Sequence, residues 1–161
     1  RCVPGGAAFS AFTGWISAYH KVLLFAAGLF LLLLSGEGVS IKDLQGAWTG
    51  ARFTEGKGEN PDQGVKLDFV VKDGAITVKK GSGAPVGDAT LVIAEDGKSI
   101  DATGTSGGYR RKLYVGILKI EGDTLTWCIA GTAGKEQKRP ASYAADPGAA
   151  HYLIVAKRQK P

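Results

Sequence analysis

Between residues 65 and 80, apolar and polar side chains alternate on either side of an Asp-Gly pair. Val65, Leu67, Phe69 and Val71 interleave with Lys66, Asp68, Val70 and Lys72, and after Asp73-Gly74 the chain returns through 75–80. A period of two sends alternate side chains to one face of a strand, and Asp-Gly favours a two-residue type I′ hairpin. With that pair as the loop, Val71 lies opposite Ile76 and Phe69 opposite Val78, so apolar residues meet on one face. A slip of one residue turns all of them to the other side. The segment 113–121 repeats the rule: it enters Gly122-Asp123 and returns through 124–130. Ile120 then opposes Leu125, Leu118 opposes Trp127, and Gly116 opposes Ile129. The face of Leu118, Ile120, Leu125, Trp127 and Ile129 is predicted to point inward. Lys119, Thr126 and, by alternation, Cys128 share the outer one.

Four more strands are predicted at 47–53, 88–93, 99–103 and 151–157, the middle two joined through Asp96-Gly97, with a helical turn over 41–45. Regularly spaced short strands with turn signals favour a sandwich or barrel. Closing eight strands removes the sheet edges and leaves room for side chains or one small ligand. The predicted fold is all-β, an eight-stranded antiparallel up-and-down barrel. Two segments stay irregular, 54–64 and 131–149, the latter with Pro140 and Pro147.

Ahead of the strands, Val22 to Leu34 is an uninterrupted apolar run preceded by His20-Lys21 and followed by small residues. A positive flank, a short apolar core and small residues are the parts of a secretory signal. A permanent span needs about 20 apolar residues. Residues 1–38 are therefore read as a signal peptide or N-terminal extension and 39–161 as the barrel domain. Export to a periplasmic or extracellular space is expected, with tethering if the segment is retained, and the membrane is met through that segment alone. Methionine is absent, which reads as a fragment or an unusual start.

The chain has 161 residues, the size of one domain, and its 24 glycines suit a turn-rich fold. The net charge of +5 is dispersed. A nucleic-acid binder carries a basic stripe and a recognisable module, and neither is present, so no nucleic-acid partner is expected. Cys2 and Cys128 fall on opposite sides of the expected cleavage, leaving the domain one thiol and no internal disulfide. A monomer is expected.

Gly46-Ala47-Trp48 opens the first predicted strand and Lys157-Arg158 closes the last. This pairing resembles the lipocalin (calycin) signature, a G-x-W near the start and a basic residue near the end. The resemblance implies that Arg158 packs over the Trp48 indole and closes the barrel base, with Gly46 beside it. Cation–π attraction of about 0.5–2 kcal/mol would favour the pair. Over residues 44–158 the chain is more similar to a lipocalin-like domain family of unknown function, abundant in planctomycete bacteria. The similarity rests on 44–48, on 116–125, on Cys128, on Gly134-Lys135-Glu136 with Arg139-Pro140, on Pro147-Gly148 and on 153–158. It implies a fold and an extracytoplasmic setting, but no activity.

Candidate chemistry is sparse. One histidine, His151, and one cysteine, Cys128, lie in the domain, short of the four ligands of a structural zinc site, and neither a metal nor a cofactor is expected. Ser142, Asp146 and His151 lack a nucleophile elbow and an oxyanion signature, so no catalytic residue is assigned. The glycine-rich stretches 81–87 and 104–108 match no phosphate-binding pattern and read as inter-strand loops. Cys128 reads as a small buried hydrophobe beneath the 131–149 loop. The inward faces show no polar cluster. The leading expectation is a non-enzymatic barrel that binds a small apolar or amphipathic ligand against Phe69, Leu118, Trp127 and Ile129, with Tyr114 as a polar tip. The alternative is a protein-interaction domain with a filled core that uses loops 54–64 and 131–149, where exposed Tyr143, Lys138 and Arg139 form the patch.

Overall fold

Asp73 and Gly74 both take positive φ, +50° and +79°, and this tight reversal sets Val71 opposite Ile76 and Phe69 opposite Val78. Gly122, at φ +59°, turns the later hairpin and sets Leu118 opposite Trp127 and Gly116 opposite Ile129. Both registers are those the apolar alternation predicts. The computed structural model describes residues 38–131 and 137–160. The apolar 22–34 segment, and its reading as an export signal, lie outside the described residues.

A single helical turn, α1 (Ile41–Leu44), precedes eight strands: β1 (Gly46–Phe53), β2 (Val65–Lys72), β3 (Ala75–Lys80), β4 (Pro85–Ile93), β5 (Ser99–Gly104), β6 (Leu113–Glu121), β7 (Thr124–Ala130) and β8 (His151–Arg158). Each pairs with the next, and β8 pairs with β1, so the sheet closes into a barrel. β8 and β1 run antiparallel, with Trp48 opposite Arg158 and Phe53 opposite Leu153. Closure leaves no edge strand to pair with another chain. β4 starts three residues earlier than the alternation predicts. Pro85 sits at its first position, where a missing N–H is tolerated, just past a register shift at Val78/Lys79. In the β4–β5 turn, backbone and side-chain hydrogen bonds from Ser99, with another from the Lys98 N–H, hold the exposed Asp96 carboxyl at a pKa of about 2.

Two apolar clusters result. The interior one joins Trp48, Phe69, Val71, Leu91, Ile100 and Leu118 with their neighbours, and α1 adds Leu44. Trp48 and Phe69 stack with ring centroids 6.3 Å apart. The second lies on the outer face, where Ala51, Phe53, Ile117, Cys128 and Leu153 meet Ala145. Outward residues of a barrel usually face water. These are buried because segment 137–150 lies over them, tied to the 54–64 loop by a bridge from Gly56 to Ala145.

Candidate functional site

The two ends of the barrel differ. At one, where β1 begins and β8 ends, the Arg158 guanidinium carbon lies 4.3 Å from the Trp48 ring centroid. Arg158 Nη1 donates to the Gln45 carbonyl and Nη2 to that of Asp43, both at 2.6 Å. The Trp48 indole N–H donates to the Leu44 carbonyl at 2.9 Å. Trp48 is wholly buried. Gly46, at φ +113°, turns the chain from α1 into β1 beneath the guanidinium. This end is sealed by stacked, hydrogen-bonded groups.

At the other end the interior opens into a cavity of about 290 Å³, near the lower limit of small-molecule sites, about 300–1,000 Å³. Its wall is apolar: Leu67 and Phe69 from β2, Ile76 and Val78 from β3, Trp127 and Ile129 from β7. The space exists because the inward positions Ala89 on β4 and Ala102 on β5 are small. The rim is polar. Arg52 of β1, Tyr114 of β6 and Tyr152 of β8 line it, joined by Gly108, Tyr109 and Lys112 from the segment that links β5 to β6.

The rim groups are held by one another. The Arg52 guanidinium carbon lies 5.1 Å from the Tyr152 ring centroid. Tyr109 and Tyr114 meet edge to face at 5.7 Å. Burial pushes both phenols above their usual pKa, against an opposing pull from Arg52, so both stay protonated at neutral pH and keep a proton to donate. Two buried donors, Arg52 Nε and Trp127 Nε1, have no hydrogen-bond partner. Among the described residues no carboxylate, histidine or thiol lines the cavity.

Of the five residues expected to form a ligand wall, the structure brings Phe69, Tyr114, Trp127 and Ile129 to this cavity. Leu118 is not among them: it faces inward but is packed in the filled half, 1% exposed. The interior also carries a polar cluster, Arg52 and Tyr152 with Tyr109 and Tyr114, which corrects the expectation that the inward faces hold none. Both Arg52 and Tyr152 occupy inward positions of the period-two alternation. Trp48, Gly50 and Arg52 share a face, as do Arg158, Ala156, Ile154 and Tyr152. An inward arginine runs against the general exposure of that residue type.

The other candidates separate. Ser142, Asp146 and His151 share no side-chain hydrogen bond; His151 meets Asp146 only through a backbone N–H to its carbonyl, 2.9 Å. Among the described residues no cluster of His, Cys, Asp or Glu could hold a metal ion. Tyr143 is not the exposed ring of the interaction patch. It is half-buried, donates to the Leu118 carbonyl at 2.9 Å and lies under Lys119, 5.3 Å from its centroid. Arg139 is committed as well: it donates to the carbonyls of Ile100 and Gly116 and pairs with Asp101 at 2.6 Å. These bonds strap 137–150 to the outer wall.

Cys128 is wholly buried under that strap, its Sγ donating to the Ala144 carbonyl at 3.3 Å. Burial raises its thiol pKa, and both effects suppress the reactive thiolate. With Cys2 replaced by serine, Cys128 is expected to be alkylated about 100-fold or more slowly than in denaturant, because opening the strap costs several kcal/mol. Quantitative labelling of the folded protein within minutes would contradict the burial.

No family model, curated protein or solved structure matches the chain.

Proposed function

We propose that the chain is an exported, lipocalin-like, non-enzymatic carrier that binds one small amphipathic molecule in the barrel cavity. The observation that carries this reading is the contrast between the two ends. One is sealed around Trp48, while the other keeps an apolar space under a polar rim. A barrel built only as a rigid support for loops would gain stability by filling that space, because voids lose packing contacts. Among the described residues the lining holds donors and ring faces but no carboxylate, histidine, serine or thiol, which suits binding rather than turnover. The interaction reading loses support because Tyr143 and Arg139 are spent on holding the strap.

The test is a titration of the purified protein with 1-octanol, followed by calorimetry and tryptophan fluorescence, since Trp127 lines the cavity. Saturable one-to-one binding is expected. Ala102→Phe puts a ring into the space and is expected to weaken binding about tenfold or more, because burial of the ligand's apolar surface is lost, with the fold retained. Equal binding by wild type and Ala102→Phe would place the site elsewhere. No binding by either would remove the carrier reading.

A further inference from the structure

We infer that the ligand carries a single negative charge, a carboxylate, which the Arg52 guanidinium receives at the rim while the apolar tail rests on Phe69 and Trp127. This inference rests on the carrier reading and narrows it to one chemical class.

The first argument is the cost of Arg52. Arg52 is partly buried, with its Nε fully so, and a partly desolvated charge without a counter-charge is unfavourable. Structural arginines meet that cost locally. Arg139 has two carbonyls and a carboxylate, and Arg158 has two carbonyls and an indole face. Arg52 has only the Tyr152 ring, and its Nε is buried without a partner. Among the described residues it makes no ion pair, whereas Asp62, Asp101, Glu121 and Asp123 are paired with Lys66, Arg139, Lys119 and Lys160. The described residues therefore leave a planar, forked cation facing a cavity to which they contribute no anion. The guanidinium fork matches a carboxylate with two parallel N–H···O bonds.

Among the described residues the rim offers no carboxylate to pair with a cationic ligand. Lys112 adds a second positive charge at the mouth, and Arg110 and Arg111 precede it, all three exposed. Positive charges beside a mouth raise the local concentration of anions. The protonated Tyr109 and Tyr114 hydroxyls, with no protein partner of their own among the described residues, supply further donors to an anion.

Size sets the rest. A water occupies about 30 Å³ in the liquid, so a cavity of about 290 Å³ holds on the order of ten heavy atoms. Along β1, Arg52 stands four residues beyond Trp48, about 13 Å at the usual rise of a strand. The floor of that depth is the Phe69 ring stacked on Trp48. A medium-chain or single-ring acid fits; a long-chain lipid would leave most of its tail in water.

Three probes with the same tail and different heads test this: octanoate, 1-octanol and octylamine, each titrated into the full chain. Octanoate is expected to bind about tenfold or more tighter than 1-octanol, since a charge-assisted hydrogen bond in a partly dry site is worth that much, and octylamine more weakly than either. Arg52→Met removes the fork and keeps apolar volume. It is expected to bring octanoate down to the level of 1-octanol, with a loss for octanoate about tenfold or more greater than the loss for 1-octanol, as the charge-assisted contact is removed. Arg52→Lys should recover part of the preference. Because the wild-type ranking alone tests the inference, a variant that failed to fold would not shield it. Octanoate and 1-octanol binding equally well would overturn the carboxylate and leave the carrier reading intact, as would a preference that survives Arg52→Met. Failure of all three to bind would overturn both.

Discussion

Trp48→Ala is expected to remove about 4 kcal/mol of stability, the usual loss when a buried tryptophan becomes a cavity, and to lower Tm by on the order of 15 °C. Domains of this kind hold only about 5–15 kcal/mol in all. Three losses coincide. The ring is wholly buried and stacks on Phe69. Its N–H is the partner of the Leu44 carbonyl. Its face receives Arg158, whose donors also hold the carbonyls of Asp43 and Gln45. Removing the indole therefore loosens α1 as well as the barrel floor. Trp48→Phe keeps stacking and loses the hydrogen bond, so it should fall well short of the alanine change. A double-mutant cycle with Arg158→Met should give a coupling of about 1 kcal/mol or more, because the two groups touch. Denaturant unfolding of the four proteins measures both. A loss under about 1 kcal/mol for Trp48→Ala, in the range of ordinary surface changes, would mean that the barrel does not depend on this closure.

How much of this could be read beforehand depends on whether a feature is local. The two tight hairpins were legible because their loops have two residues and strong turn chemistry, and because Phe69, Val78, Leu118 and Trp127 can share a face in only one register. The Trp48–Arg158 closure followed from a resemblance, since nothing local links positions 110 residues apart. The wall of the cavity was legible from the inward alternation at Phe69, Trp127 and Ile129. Its extent was not, because the space is produced jointly by small residues on separate strands and by the return of segment 105–112 to the rim. Arg52 was within reach of the same alternation that placed Trp48 inside. Its chemistry argued the other way, and the conflict between pattern and residue type was itself the signal. Local rules tend to fail at functional positions. Cys128 was read correctly only by allowing a loop to cover the outer wall. Tyr143 shows the reverse: a tyrosine in a long loop passes for a free ring until Leu118 claims its hydroxyl.

The two ends also divide the demands on the chain. The sealed end holds Trp48, Leu118, Leu125 and Ile100, all almost fully buried, and needs no ligand to be stable. The open end keeps a partly buried cation and an unfilled space. Stability and binding thus sit in different layers of one barrel, and substitutions can separate them. Arg52→Met should leave the unliganded barrel about as stable as before, because the partly buried guanidinium has an Nε without a partner and its replacement by an apolar side chain removes that uncompensated polar group. Trp48→Ala should do the opposite.

Gly104→Ala is expected to damage the open end about as severely as any single methyl group can. Gly104 ends β5 opposite Ala89, and the segment after it folds straight back. Its N–H donates to the Lys112 carbonyl at 2.8 Å, and its own carbonyl accepts from Arg111 at 3.0 Å. Tyr109 then crosses so closely that a β-carbon on Gly104 would lie 1.6 Å from the Tyr109 carbonyl oxygen and 2.3 Å from its carbon. Those are backbone atoms, so no rotamer relieves the clash. The turn at Gly107–Tyr109 must lift, and it has no slack. Gly107 lies against Val86 and Gly87 against Ser106, where an added β-carbon would meet backbone oxygen at 2.3 and 2.6 Å. Overpacking usually costs about 1–3 kcal/mol, and a backbone clash of this depth belongs at or above the top of that range. The lifted segment carries Tyr109 and Lys112, so the rim should open with it. Trypsin should then cut faster at Arg110-Arg111, and octanoate should leave faster. Gly108→Ala is the matched control: it lies in the same segment, but its nearest neighbour, the Val86 oxygen, is 3.7 Å away, and little change is expected. If Gly104→Ala and Gly108→Ala unfold at the same denaturant concentration and resist trypsin equally, segment 105–112 does not press on β5 as described, and the rim built from it loses its footing.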